Sequence, residues 1–166
     1  MTSFIINAHV NRPISEKFVP KDRCVFCKII SGKAPAYKIY ETEQVIAILD
    51  IQPLRKGHVL VIPKDHHSYV SELPEEVAGA LGKAVSKVAK AISQALENSA
   101  LNVVCNQIYA QAVPHVHYHI IPAPRIELSS ENTQTSEIYP DNAMSYMDMH
   151  RSDLFRQSIY MIHTAF

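Results

Sequence analysis

Three histidines at alternate positions form the stretch of the sequence best suited to chemistry. His115, His117 and His119 are separated by Val116 and Tyr118 within the run PHVHYHIIP. Alternate side chains of a β-strand lie on one face, so this spacing predicts a strand with three imidazoles on one side. An imidazole titrates at about pH 6.5 and can act as a nucleophile, a base or a metal ligand. The stretch therefore predicts a functional site rather than core packing.

Two kinds of chemistry fit three neighbouring imidazoles. A neutral ring can attack a phosphorus or carbonyl centre and form a covalent intermediate, while its neighbours neutralise charge on the phosphate oxygens. Three rings could also bind one metal ion. Side chains at positions i, i+2 and i+4 of a flat strand do not converge on one ion without distortion. Nucleophilic catalysis is therefore favoured over a shared three-histidine metal site.

The cysteines offer a second constellation. Cys24 and Cys27 form a C-x-x-C motif, which is half of a typical zinc site, and the other half is sought at His66 or His67 and at one end of the histidine strand. A pair of buried thiols explains the motif equally well, and a redox pair is a weaker third interpretation. Cys105 lies in an apolar strand and is predicted to be a core residue. The odd count of three cysteines argues against a fully paired disulfide framework.

The composition indicates an ordinary globular protein without a bulk attraction to nucleic acid or membranes. Of the 166 residues, 47% are hydrophobic and 19% are charged, and the formal net charge is +0. A phosphate-binding site would therefore have to be local. No apolar run approaches the roughly 20 residues that span a bilayer, and the N-terminus does not resemble a secretory signal. We expect an intracellular protein of the cytoplasm, with the nucleus as a further location.

The hydrophobic pattern predicts an α+β domain with one long helix. A short helix is expected near residues 24–32, and a helix that opens at Pro74 repeats its apolar residues at three and four as far as Ala95. Short connections favour antiparallel pairing of the strands. The predicted strands cover residues 37–41, 45–49, 58–62, 101–106 and 114–122. We expect an N-terminal arm at 1–21, one domain at 22–124 and a C-terminal extension at 125–166.

Four segments together resemble the histidine triad (HIT) family. They are residues 24–30, 48–53, 57–64 and 115–121, and the last matches the signature His-φ-His-φ-His-φ-φ. The similarity spans about residues 22–124 and is greatest to the histidine triad nucleotide-binding branch. Members of that branch are adenosine 5′-monophosphoramidases, which hydrolyse the P–N bond of AMP-amine conjugates. The resemblance implies a HIT-like fold, an antiparallel sheet with a long helix, and a dimer that joins two sheets into one.

The resemblance also implies a role for each site residue. His117 is the expected nucleophile, which would become adenylylated, while His119 and His58 would contact the phosphate. Purine nucleoside monophosphate conjugates are the expected substrates, and no separate cofactor takes part in the reaction. A structural zinc ion would be held by Cys24, Cys27, His66 and His115. Nucleotide contacts are expected from Asp50 at the ribose, from Val25, Phe26, Ile29, Ile51 and Leu60 at the base and sugar, and from Asn106 and Gln111 near the phosphate.

The sequence departs from the family pattern just before the triad. Ala112 stands where the family usually carries a hydroxyl, and the 107–110 loop is about two residues short and has no glycine. Loss of one charge-assisted donor costs about 1.5–3 kcal/mol, so slow turnover with retained binding is one alternative. Such a protein would be a nucleotide-binding or zinc-stabilised interaction module. A dinucleoside polyphosphate hydrolase is another alternative, because it uses the same attack with a different leaving group.

Overall fold

The computed structural model describes residues 21–124. The predictions for the N-terminal arm up to residue 20 and for the extension at 125–166 fall on residues outside this range. Within it, a single 3-10 turn at Val70–Glu72 accompanies the regular elements. These are α1 (Val25–Ile30), β1 (Lys38–Glu41), β2 (Val45–Leu49), β3 (Val59–Pro63), α2 (Glu75–Ala95), β4 (Leu101–Cys105) and β5 (Tyr118–Pro122).

The five strands form one sheet in the order β1-β2-β3-β5-β4, and every pairing is antiparallel. All residues of β2 and β3 are buried, as their continuous apolar sequences VIAIL and VLVIP predict for strands covered on both faces. The α+β fold with five antiparallel strands is therefore confirmed.

One face of the sheet is covered by α2. The helix begins after Pro74 and buries Val77, Leu81, Val88 and Ile92 against the strands, as the three-and-four spacing predicts. Each such side chain contributes about 1.5–3 kcal/mol when it leaves water. In the described residues, no helix is long and apolar enough to cross a membrane.

The other face of the sheet is covered by α1. Phe26, Cys27 and Ile29 are buried there against β2 and β3 residues, in the second hydrophobic cluster of the domain. The helix ends at Ile30, and the predicted stop residue Gly32 follows two residues later with a φ of +74°, which suits a residue without a Cβ. The amide of Lys33 donates back to the carbonyl of Lys28 at 2.7 Å. This short, firmly ended helix places the two cysteines beneath the histidine stretch.

The predicted strand at 114–122 is wrong in its first half, because β5 begins only at Tyr118. Upstream of it, the His115 amide donates to the Val113 carbonyl at 2.8 Å, which closes a tight turn. The Val116 amide donates to the His67 carbonyl at 2.6 Å instead of to a neighbouring strand. The chain therefore joins the sheet only after it has passed the first two histidines.

The predicted alternation of faces nevertheless holds. Val116 and Ile120 are buried in the core beneath α2, and Tyr118 packs against the same core. The histidines lie on the α1 face, where the ring of Phe26 contacts His115 and His117 edge-on at 5.8 and 5.1 Å between centroids. Cys105, predicted to be a core residue, is half-buried and packs against the α2 core from the edge strand β4.

Candidate active site and metal cluster

A cluster of sulfur and nitrogen donors lies where α1 meets the start of the histidine stretch. We call Cys24, Cys27, His66 and His115 the sulfur cluster; their donor atoms all lie within 4.8 Å of one another. The Sγ of Cys24 is 3.4 Å from Nδ1 of His115, and the Sγ of Cys27 is 3.3 Å from Nδ1 of His66. Two soft sulfurs and two imidazoles are a donor set that suits a tetrahedral zinc ion.

The geometry also separates the two candidate histidines after β3. The ring of His66 joins the sulfur cluster, with its centroid 4.9 Å from that of His115. His67 contributes its backbone carbonyl, which accepts from the Val116 amide. Of the pair left open at the level of the sequence, His66 is therefore the one whose ring joins the sulfur cluster.

Backbone contacts determine which nitrogen of His115 faces the sulfurs. Its Nε2 lies 2.8 Å from the Pro63 carbonyl, which can only accept, so Nε2 carries the proton. The lone pair is then on Nδ1, on the side of Cys24 and Cys27. Burial lowers the pKa of His115 to about 4, so the ring is neutral at pH 7. A neutral ring anchored through its second nitrogen is the usual form of a metal-ligating histidine.

Burial raises the pKa of the Cys27 thiol to about 11, with Cys24 as a second cause and the positive charge of Lys21 opposing the rise. A bound divalent cation reverses such a shift, because it stabilises the thiolate directly.

His117 has the opposite tautomer to His115. Its Nδ1 lies 2.7 Å from the His115 carbonyl, so Nδ1 carries the proton and the lone pair is on Nε2. Burial lowers the pKa of His117 below its usual value, which keeps the ring neutral at pH 7. The structure therefore presents a neutral imidazole with a lone pair on Nε2, which is the form that a nucleophile needs.

A second histidine contact adjoins His117. The ring of His119 lies 4.8 Å from that of His117, and its Nδ1 is 3.0 Å from Nε2 of His58. The Leu54 amide donates to Nδ1 of His58 at 3.2 Å, so His58 carries its proton on Nε2 and donates it towards His119. His119 accepts through Nδ1, which leaves its own proton on Nε2. We call His58, His117 and His119, together with Asp50, the imidazole cluster.

Asp50 approaches His58 without forming an ion pair at neutral pH. Its Oδ2 lies 3.5 Å from Nδ1 of His58, but burial lowers the pKa of that ring to about 3. The other carboxylate oxygen, Oδ1, accepts from the Gln52 amide at 2.8 Å and so holds the turn after β2. The side chain remains 16% exposed, which leaves the carboxylate accessible to a ligand.

Apolar side chains remain exposed on the segments that carry the site. Phe26, Ile29 and Leu60 are buried, whereas Val25 and Ile51 are 43% and 53% exposed. An exposed apolar surface next to polar groups is typical of a ligand-binding face. Their predicted contacts with a base and sugar stay a prediction.

Two residues predicted near the phosphate lie in or beside the loop that follows β4. Asn106 is half-buried directly after the strand. The amide of Gln111 is bonded to backbone at both ends: Nε2 donates to the Ser68 carbonyl at 3.0 Å, and Oε1 accepts from the Ile108 amide at 2.9 Å. Their phosphate contacts stay predictions as well.

Sequence reasoning missed the backbone groups that orient the imidazoles. The Leu54 amide, the Pro63 carbonyl and the His115 carbonyl select the tautomers of His58, His115 and His117 respectively. No residue type is required for a backbone group to play this part, so the sequence carries no signal for it.

The family model described as "HIT domain" matches residues 31–125. The chain belongs to the HIT domain family. This HIT domain is 47% identical over 103 residues to "Protein hit" of Bacillus subtilis, an alignment that covers 61% of this chain and 71% of the relative.

Two further relatives bear on function and metal content. The chain is 47% identical over 106 residues to "Adenosine 5'-monophosphoramidase hnt1" of Schizosaccharomyces pombe, covering 63% of this chain and 77% of the relative. A crystal structure of a "ZN-bound histidine triad family protein" from Mycobacterium smegmatis matches with a TM-score of 0.66 and 29% identity, over 88% of this chain and 94% of that one. Relatives of this HIT domain thus include a nucleotide hydrolase by name and a zinc-bound protein.

Proposed function

We propose that this HIT domain hydrolyses the P–N bond of AMP-amine conjugates through a nucleotidyl-histidine on His117. The observation that carries the proposal is the 2.7 Å contact of His117 Nδ1 with the His115 carbonyl, which leaves the lone pair on Nε2 of a buried, neutral ring. The name of the Schizosaccharomyces pombe relative supports the substrate class.

The reaction would proceed in two displacements at the α-phosphorus. In the first, Nε2 of His117 forms a bond to phosphorus while the P–N bond breaks and the leaving amine takes a proton from solvent; the Nε2–H of the neutral His119 would donate a hydrogen bond to a phosphate oxygen. In the second, water attacks the same phosphorus and releases a proton to solvent, while the bond to His117 breaks and AMP leaves. Through the 3.0 Å contact, His58 would hold His119 in the tautomer whose Nε2–H donates this hydrogen bond.

The nucleotide would lie against the exposed apolar residues and Asp50. The carboxylate of Asp50 can accept hydrogen bonds from both ribose hydroxyls. The exposed apolar side chains of Val25 and Ile51 would pack against the base.

The sulfur cluster fits a zinc ion with a structural part to play. Cys24, Cys27, His66 and His115 would hold it, and when bound it would cross-link α1 to the histidine stretch and to the segment after β3. Four protein ligands leave no open position for a substrate, which is typical of structural zinc. The anchored tautomer of His115 supports this assignment.

The second candidate is a nucleotide-binding module with slow turnover. Ala112 is exposed just before the triad and has no hydroxyl to donate to a phosphate oxygen or to the leaving group. Binding through Asp50 and the apolar residues would survive that loss, whereas the transition state would be less well stabilised.

We also propose that the protein is a homodimer. The edge strand β4 pairs with β5 on one side, and Val103 at its centre is 45% exposed. An exposed edge with an apolar residue is a surface that can pair with a second strand. Sedimentation at several concentrations would detect a dimer.

The decisive experiment supplies an AMP-amine conjugate and measures AMP by chromatography, with a rapid denaturing quench and mass analysis of His117. Release of AMP with a nucleotidyl adduct on His117 supports the phosphoramidase. AMP binding by calorimetry without release supports the slow binding module. Faster cleavage of diadenosine triphosphate than of the conjugate supports the polyphosphate hydrolase, and absence of both binding and release contradicts all three.

A further inference from the structure

The loop between β4 and the histidine stretch adopts a backbone that its residues disfavour. Ile108 has a φ of +61° and Ala110 a φ of +59°, although neither is a glycine. A positive φ is unusual for any residue with a Cβ and most unusual for a β-branched one. The Tyr109 amide donates to the Gln107 carbonyl at 2.6 Å, which closes a γ-turn around Ile108. Such turns are rare because they are strained.

Specific hydrogen bonds hold this disfavoured loop in place. Oε1 of Gln111 accepts from the amide of Ile108, and Nε2 of Gln111 donates to the carbonyl of Ser68. One side chain therefore bonds both the strained residue and the segment that follows β3. Oε1 of Gln107 adds a parallel contact, because it accepts from the Ser71 amide at 3.1 Å.

The same segment also contacts the start of the histidine stretch. The hydroxyl of Ser68 donates to the Pro114 carbonyl at 3.4 Å, and the His67 carbonyl accepts from the Val116 amide. Residues 67–71 therefore hold the loop and the residues on both sides of His115. A change in the loop should move the backbone that carries the nucleophile.

We propose that Gln111 is a positioning residue for the attack by His117, which acts by holding the strained loop and not by touching the substrate. This inference rests on the proposed function of the same site. It differs from the predicted phosphate contact of Gln111, because both ends of the amide are already bonded to backbone. A misplaced nucleophile lowers the rate of a group transfer by up to about a hundredfold.

The test compares Gln111→Leu with the parent and with Gln94→Leu, a matched change at an exposed position of α2. In Gln111→Leu we expect hydrogen exchange at the Ile108 amide to accelerate by at least about tenfold, since its acceptor is lost. We expect kcat on the AMP-amine conjugate to fall about tenfold to a hundredfold, with KM and the dissociation constant of AMP within about twofold of the parent. Gln94→Leu should match the parent in all four quantities.

A second variant tests whether strain is the cause. In Gln111→Leu combined with Ala110→Gly, a residue suited to a positive φ replaces one that is not, so we expect kcat to recover at least about threefold over Gln111→Leu. Unchanged exchange at Ile108, a loss that falls on AMP affinity instead of kcat, or no recovery with glycine would each overturn the proposal. A parent protein without turnover would contradict the proposed function instead, and the exchange rates would still decide whether Gln111 holds the loop.

Discussion

His115 and His117 are two residues apart and both buried, yet the backbone presents opposite nitrogens of their rings. The Pro63 carbonyl accepts a hydrogen bond from Nε2–H of His115, which directs Nδ1 towards Cys24 and Cys27. The His115 carbonyl accepts a hydrogen bond from Nδ1–H of His117, which leaves the lone pair on Nε2. These opposite tautomers suit the first ring to metal ligation and the second to nucleophilic attack.

The comparison shows how one residue type acquires two tautomers and two environments in a single stretch. Burial lowers the pKa of both rings and keeps them neutral, so charge does not distinguish them. The neighbours do: thiols surround the first ring in the sulfur cluster, and further imidazoles surround the second in the imidazole cluster. Substitutions in the imidazole cluster should therefore lower turnover, whereas substitutions in the sulfur cluster should lower metal content and thermal stability.

The largest expected effect separates the nucleophile from the ligand. His117→Ala should lower AMP release from an AMP-amine conjugate by about 10³-fold or more, because the attacking atom is removed, while AMP binding persists. Steady-state kinetics and calorimetry measure the two quantities. His115→Ala is the matched variant and should instead lose metal and thermal stability. If His117→Ala released AMP as fast as the parent, the imidazole cluster would not be the reacting one.

Removal of the metal should affect stability more than reactivity. Zinc at about 100 times its dissociation constant stabilises a protein by about 2.7 kcal/mol, which corresponds to ~10 °C in Tm for a domain of this size. Metal analysis and thermal melts of Cys27→Ser should show both losses, whereas Cys105→Ser, outside the sulfur cluster, should keep its metal and its loss of Tm on chelation. A melt of the parent that a strong chelator leaves unchanged would contradict the zinc proposal.

Acid should destabilise the imidazole cluster in a defined window. The folded pKa of His58 is about 3, below the unfolded value of 6.5, so the unfolded chain binds more protons as the pH falls. The contribution of His58 to the free energy of unfolding is present above pH 6.5 and is lost progressively as the pH falls to about 3. Between pH 7 and pH 5 the loss amounts to about 2 kcal/mol.

Urea unfolding of the metal-loaded protein at pH 7 and pH 5 measures this loss. The variant His58→Gln keeps an N–H directed at His119 but does not titrate, so its loss should be smaller by that amount. An equal loss in both proteins would show that His58 is not held neutral.

The smallest expected effect concerns the loop that joins the two clusters to β4. Ala110→Gly should raise the free energy of unfolding by about 0.5–1 kcal/mol, because glycine accepts the positive φ at this position. Ala78→Gly is the control on the exposed face of α2, where the same change should cost about 1 kcal/mol. Denaturant unfolding measures both free energies. If Ala110→Gly were destabilised like Ala78→Gly, the loop would not be strained at this residue.

The regular elements could be predicted because the sequence carries their physical cause. Continuous apolar runs predict that β2 and β3 are buried on both faces, and the three-and-four spacing predicts the buried face of α2. Gly32 indicates where α1 stops. The gathering of Cys24 and Cys27 with histidines was also predictable, since C-x-x-C is a recognisable half-site.

The limits of the prediction lie where backbone groups decide. The histidine strand was predicted too long, because nothing in its alternating pattern reveals that the Val116 amide bonds to His67. The choice of His66 over His67 depends on the direction of the chain after β3. The sequence does not reveal this direction, because the two neighbouring residues are of the same type. The positive φ of Ile108 was not predictable either, since residues of its type usually avoid that conformation.

The most direct test of the account is nitrogen NMR of the imidazole rings in the metal-loaded protein, with histidine labelled at both ring positions. At pH 7 we predict that His117 carries its proton on Nδ1 and that His115 carries its proton on Nε2, with metal at Nδ1. A neutral His117 protonated on Nε2, or two histidines with the same tautomer, would contradict the division of this stretch into a ligand and a nucleophile.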